Sequence, residues 1–164
     1  FQNVAAQKIW GIDVETGVDW TTQRNGDYGL DFSATYLGSY KVEPVSGAGY
    51  DELAGNDGRP RVRGQSRLNW EKSDYGATLT LNYIGSYDRP DVNDDISSWT
   101  TVDTQLNWMP RSLKGGRVTF GIDNALDKDP PTDAFLEGWP FMNRALHNPR
   151  GRFFYLRYTH EFGD

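Results

Sequence analysis

Hydrophobic and polar residues alternate with a period of two along most of the chain, the signature of strands with one apolar and one polar face. Trp10, Ile12, Val14, Thr16, Val18 and Trp20 form the first row, against Gly11, Asp13, Glu15, Gly17 and Asp19. After TTQRNGDYG, Leu30, Phe32, Ala34, Tyr36 and Tyr40 oppose Asp31, Ser33, Thr35 and Ser39. A third run sets Leu68 and Trp70 against Arg63, Gln65, Arg67 and Asn69, and a fourth sets Ala77, Leu79, Leu81 and Tyr83 against Thr78, Thr80 and Asn82. Val102, Leu106 and Trp108 alternate with Asp103, Gln105 and Asn107 in the fifth; Val118, Phe120 and Ile122 with Arg117, Thr119 and Asp123 in the sixth. The last, RFFYLRYTHEF, places Phe154, Leu156, Tyr158 and Phe162 opposite Arg157, Thr159 and Glu161. No helix is predicted, because the best candidate, DAFLEGWPFMNRALH, is interrupted by Gly138 and Pro140.

The connections alternate in length. Short ones lie at Arg24 to Tyr28, Ser73 to Gly76 and Pro110 to Gly116. The others are long: VEPVSGAGYDELAGNDGRP, DRPDVNDDISS and DKDPPTDAFLEGWPFMNRALHNPRG. An antiparallel up-and-down meander with short turns at one end and long loops at the other is the pattern of an outer-membrane barrel. The runs, roughly 9 to 13 residues each, suit a tilted strand crossing a bilayer better than a globular strand of about 5 to 6. Aromatic placement points the same way. Trp20, Trp70, Trp108 and Phe162 stand at strand ends near the short turns, and Tyr36, Tyr40, Tyr83, Tyr87 and Trp99 are expected towards the other end. Two belts of amphipathic rings around an aliphatic band match the two interfaces of a bilayer. On this reading Leu79, Leu81, Leu106, Val118, Phe120, Ile122, Phe154, Leu156 and Tyr158 face lipid. The competing reading is a soluble β-barrel or β-sandwich with these rings as its core, binding a small apolar or carbohydrate ligand. A small closed membrane barrel serving as an anchor or adhesin is a third.

Composition narrows the functions. The 164 residues suffice for one domain and are 37% hydrophobic with 14% aromatic, at a mean hydropathy of -0.72. No apolar run approaches the roughly 18 residues of a membrane helix. FQNVAAQKIWG lacks the basic start and apolar block of a signal peptide, so a mature protein or a piece of one is expected. A net charge of -6 with scattered Lys and Arg argues against nucleic acid. With no cysteine there are no disulfides or thiol nucleophiles.

Candidate chemistry is thin. Asp91, Asn93 and Asp95 imitate the start of a calcium loop, but Ile96 stands where the turn wants Gly and Val102 where a Glu ligand belongs. His147 and His160 lack the companions of a zinc site, and no Gly-x-Ser-x-Gly elbow accompanies the serines. The glycines of GGRVTFG belong to turns and strands rather than to a phosphate loop. Asp13 and Glu15 share a face and could act as an acid–base pair, although a solvated barrel interior accounts for them better. No metal, cofactor or catalytic residue is expected, and the protein is read as no enzyme.

Three stretches carry a resemblance. VTFGIDNALDKDPP resembles the penultimate strand of TonB-dependent outer-membrane receptors, HNPRGRFFYLRYTHEF their closing segment, and WGIDVETGVDW is similar to an upstream strand. The resemblance implies the C-terminal β-barrel segment, residues 1–164, of a receptor whose N-terminal plug and remaining strands, out of about 22 in all, lie elsewhere. The odd number of crossings agrees, since single-chain barrels close with an even number. It further implies residence in the bacterial outer membrane and import of a scarce solute, such as a siderophore, cobalamin or an oligosaccharide. The implied partners are outer-membrane lipid, the rest of the barrel and the plug, and the inner-membrane energy-coupling complex. Trp139, Phe141, Arg144 and His147 in the longest loop are the residues expected to touch the small-molecule or oligosaccharide ligand, because rings and a cation can stack on or pair with such solutes.

Overall fold

The computed structural model describes residues 5–90, 94–112, 115–133 and 141–162. It is all-β, with no helix among the described residues. Seven long strands carry the chain back and forth: β1 (Ala6–Thr22), β2 (Gly26–Glu43), β4 (Val62–Lys72), β5 (Tyr75–Ile84), β8 (Trp99–Trp108), β9 (Gly116–Asp123) and β10 (Phe153–His160). They form one antiparallel sheet in chain order, which is the expected meander. Three short strands, β3 (Asp51–Glu52), β6 (Tyr87–Arg89) and β7 (Asp94–Ile96), lie in the long loops; β3 adds to β2, and β6 pairs with β7. Among the described residues β1 pairs only with β2, and β10 only with β9.

The register aligns the apolar rows into one continuous face. Val18, Leu30, Leu68 and Leu79 follow one another across four strands, and Leu106, Phe120 and Leu156 across three more. None of this is covered by protein: Leu79 and Leu81 are each 44% exposed, Phe154 56% and Leu156 75%. The buried apolar residues are instead Ala54, Ile84, Tyr87, Ile96, Trp99 and Met142, which lie in the long loops or at the strand ends beside them. A soluble barrel or sandwich would bury the aliphatic rows. Here the apolar core sits at the loop end of the sheet, and the strands keep their greasy side open.

Rings border the apolar face. At the turn end Trp20, Tyr28 and Trp70 stand in register, as do Tyr75 and Trp108, and Trp20 stacks on Tyr28 at 5.2 Å. Near the loop end Trp10 meets Tyr36 edge-on at 6.3 Å. The ten residues from Trp20 to Trp10 span about 33 Å along a strand, or roughly 25 Å in height at the tilt of about 40° found in barrels, which is the height of a barrel's apolar band.

Three aromatics depart from the expected belt. The register breaks between Trp10 and Gly11, leaving Gly38 as an extra residue in β2, so Ser39 and not Gly38 stands across from Trp10, and Tyr40 comes to pair with Ile9. A bulge re-aims the side chains beyond it, and Tyr40 is met by the Arg59 guanidinium 5.2 Å from its ring centre. A side chain at Gly38 would collide with the Trp10 ring, so only glycine allows that indole to lie across the bulge. Trp99 pairs with Ile84, which opposes Arg63 of the polar face, and is buried there. Tyr87 belongs to the small β6–β7 ladder and is also buried.

Candidate functional site

The polar face is a wall of hydrogen-bonding groups. Asp13 accepts from Thr35 Oγ1 at 2.6 Å, and Asn69 donates to Asp31 at 3.3 Å. Gln65 donates to Asn82 at 2.8 Å, Asn82 to Asp103 at 2.8 Å, and the Asn124 backbone N–H to the other Asp103 oxygen at 2.8 Å. This chain crosses β4, β5 and β8 and ends just past β9, so it fixes the wall's side chains across four strands. Lower on the wall the Tyr155 ring lies over Gly121, where any Cβ would strike it, and its hydroxyl donates to Gln105 at 3.2 Å. The Asp13 and Glu15 carboxylates stand on this wall, two residues apart on β1.

Near the loop end the wall is hollowed into an open cavity of about 630 Å³. Asp13, Glu15, Asp103, Asp123, Arg63 and Arg150 supply its charges, and Leu146 and Asn148 border it from the last long loop. Asn124 anchors that loop. It adopts φ of 48°, a left-handed conformation that Asn tolerates better than most residues. Its side chain accepts from the Lys128 N–H at 3.0 Å and donates to the Lys128 carbonyl at 2.9 Å. The same carbonyl accepts from Trp99 Nε1 at 3.3 Å.

The three long loops pack together as a cap at this end. Residues 55–57 and 88 join backbone to backbone through Asp57 N–H to the Asp88 carbonyl at 2.9 Å and Asp88 N–H to the Gly55 carbonyl at 2.7 Å. Arg89 links two loops to its own, lying 3.3 Å from Asp57 and 3.6 Å from the buried Asp133. Burial and the neighbouring Asp133 charge push the Tyr87 hydroxyl above its ordinary pKa. Asn143 caps a single turn, accepting from the backbone N–H groups of Leu146 at 3.1 Å and His147 at 2.9 Å with its carbonyl and from Ala145 at 3.0 Å with its side chain. On the β2 side the Glu52 carboxylate accepts from Ser39 Oγ at 2.5 Å, Tyr40 N–H at 2.7 Å and Ala54 N–H at 3.0 Å. Those three donors hold its pKa down to about 2.

Of the residues expected to touch ligand, Phe141 is exposed, with φ of 55°, and Arg144 is exposed. His147 is 4% exposed, with its ring edge-on to Trp99 at 5.3 Å, so in this arrangement it serves the cap's interior and does not face solute. Trp139 lies outside the described residues, as do Asp91 and Asn93 of the calcium-like stretch. Sequence reasoning placed Tyr87 in the aromatic belt and missed the cap's other residues, Ala54, Arg89, Ile96, Asp133 and Met142, because loop residues without a period give no sign of burial. Among the described residues no group of three His, Asp or Glu side chains is arranged to hold a metal ion.

Comparison with protein families decides the relationship. The family model for the TonB dependent receptor-like β-barrel matches residues 1–125. The chain belongs to that family. Neither a curated protein nor a solved structure matches it significantly. The match runs from β1 through β9 and includes Asn124, whereas the closing segment from His147 lies beyond it. The TonB-dependent receptor barrels are a transport family of the outer membrane, and the antiparallel meander of this member is the corresponding wall.

Proposed function

We propose that the chain forms part of the wall of an outer-membrane importer that captures a scarce solute and is driven by the inner-membrane energy complex acting on a plug domain. The observation that carries this reading is the uncovered apolar face, continuous across seven strands and bounded by aromatic rows about 25 Å apart. Leu79, Leu81, Leu106, Val118, Phe120, Ile122, Phe154, Leu156 and Tyr158 then face lipid, with Trp20, Trp70, Trp108 and Phe162 at one interface. The opposite wall lines the lumen, and the loop cap lies outside the cell. Because lipid offers no hydrogen bonds, the outer edges of β1 and β10 require further strands, which supports a C-terminal segment of a larger barrel. Solute meets the cavity below the cap, with Phe141, Arg144 and Trp139 as its first contacts; a siderophore, cobalamin or an oligosaccharide suits such a wall. The test is flotation of the refolded chain with phospholipid vesicles. It should float with them and precipitate without lipid or detergent; a soluble monomer in plain buffer would sink the reading.

A further inference from the structure

The cap buries an ionisable group, the His147 imidazole, against Trp99. His147 is 4% exposed, and among the described residues neither ring nitrogen completes a hydrogen bond. A buried polar group left without a partner destabilises the arrangement that buries it, and a buried charge does so far more. The imidazole is tolerable there as a neutral ring packed on Trp99. Around it, the Asn143 backbone and Asp133 of the same loop favour a positive charge, the Arg63 guanidinium on β4 disfavours one, and Trp99 on β8 brings none. Burial is the largest influence, and the ring is held below the ordinary histidine value. What His147 secures is the one-turn segment from Met142 to His147, whose neighbours Leu146 and Asn148 border the cavity.

We propose that this segment is an acid-released latch: it docks at the rim of the cavity while His147 is neutral and lets go when His147 takes a proton. The sign follows from linkage. A histidine whose docked pKa lies below its free value of about 6.5 favours docking above pH 6.5, and docking weakens as pH falls below it, by at most tenfold for each pH unit. The latch rests on the packing of the cap and is independent of which solute the barrel carries. Its sense is that acid frees the rim of the cavity and neutral pH holds that rim in place.

Two measurements on the full chain refolded in detergent micelles test the latch. The chain has two histidines, so an NMR titration with His160→Phe as the assignment control reads His147 directly. The latch expects titration below 6.5, and a midpoint at or above 6.5 overturns it. Hydrogen exchange of residues 141–148, corrected for intrinsic rates, should lose protection, by up to about tenfold, between pH 7.5 and pH 5.5 in the parent. It should stay level in His147→Phe, which keeps an aromatic ring against Trp99 but cannot titrate. Parent protection that ignores pH, or an equal fall in His147→Phe, also overturns the latch. The titration needs no substitution at His147, so it decides even if that variant does not fold.

Discussion

Leu79→Arg separates a lipid-facing residue from a solvent-facing one. Leu79 sits midway along β5, four residues from Tyr75 and four from Tyr83, and opposes Leu68 on β4 and Thr104 on β8. It is 44% exposed, on the uncovered apolar face. If water covered that face, an arginine there would shift stability by no more than about 0.5 kcal/mol. Between two aromatic rows roughly 25 Å apart it stands at the bilayer midplane, where an arginine costs about 2–4 kcal/mol. That is a roughly 30-fold to nearly thousandfold fall in the folding equilibrium. Tyr83→Arg, at the row of rings, should cost only about 0–1 kcal/mol. Thr80→Arg points to the polar wall beside Asp103 and should be nearly neutral. Urea titrations of the three variants in phosphatidylcholine vesicles, followed by tryptophan fluorescence, give the comparison. If Leu79→Arg is no worse than the other two, the apolar face does not meet lipid, and the depth argument fails with it.

Three further outcomes follow from single contacts. Gly121→Val should displace the Tyr155 ring and break its hydrogen bond to Gln105, costing about 1–3 kcal/mol in the same titration, whereas Tyr155→Ala made with it should recover part of the loss. Because the folded Glu52 value of about 2 lies below its ordinary 4.5, its hold on β2 and β3 is complete above about pH 4.5 and is lost as pH falls towards 2. Hydrogen exchange at residues 50–54 should report that fall in the parent and a flat response in Glu52→Gln. Arg89→Met takes a guanidinium from the buried Asp133 and should destabilise the cap by about 3–5 kcal/mol, read as faster exchange at residues 85–89 and 141–147 with the long strands unchanged.

The strands were legible because their side chains keep a strict period against two different environments. Val18, Leu68 and Phe120 fall in register where alternation predicts, and the turns at Ser73 and Gly116 connect the strands expected. The loop end was not legible. Trp99 and Tyr87 read as belt residues because a ring at a strand end looks the same whether it meets a headgroup or a cap. Tyr40 was misplaced by one unpaired residue, Gly38, which no periodicity reveals. The two- and three-residue strands β3, β6 and β7 pair close by, β6 with β7 inside one loop and β3 back onto β2, but runs that short show no period. His147 shows the same limit. Its residue type suggested ligand contact, and only the fold shows it buried against Trp99.

The cap also bears on how such a wall is assembled. Ala54, Tyr87, Ile96 and Met142 come from three loops separated by two to four strands, and they meet only if every intervening pair has the right register. A slip of two residues between neighbouring strands keeps each side chain on its proper face, so lipid alone would accept it. It would, however, carry Arg89 about 7 Å from Asp133 and undo their pairing. The loop contacts therefore act as a gauge of alignment, forming only on a sheet whose ladders are all in step.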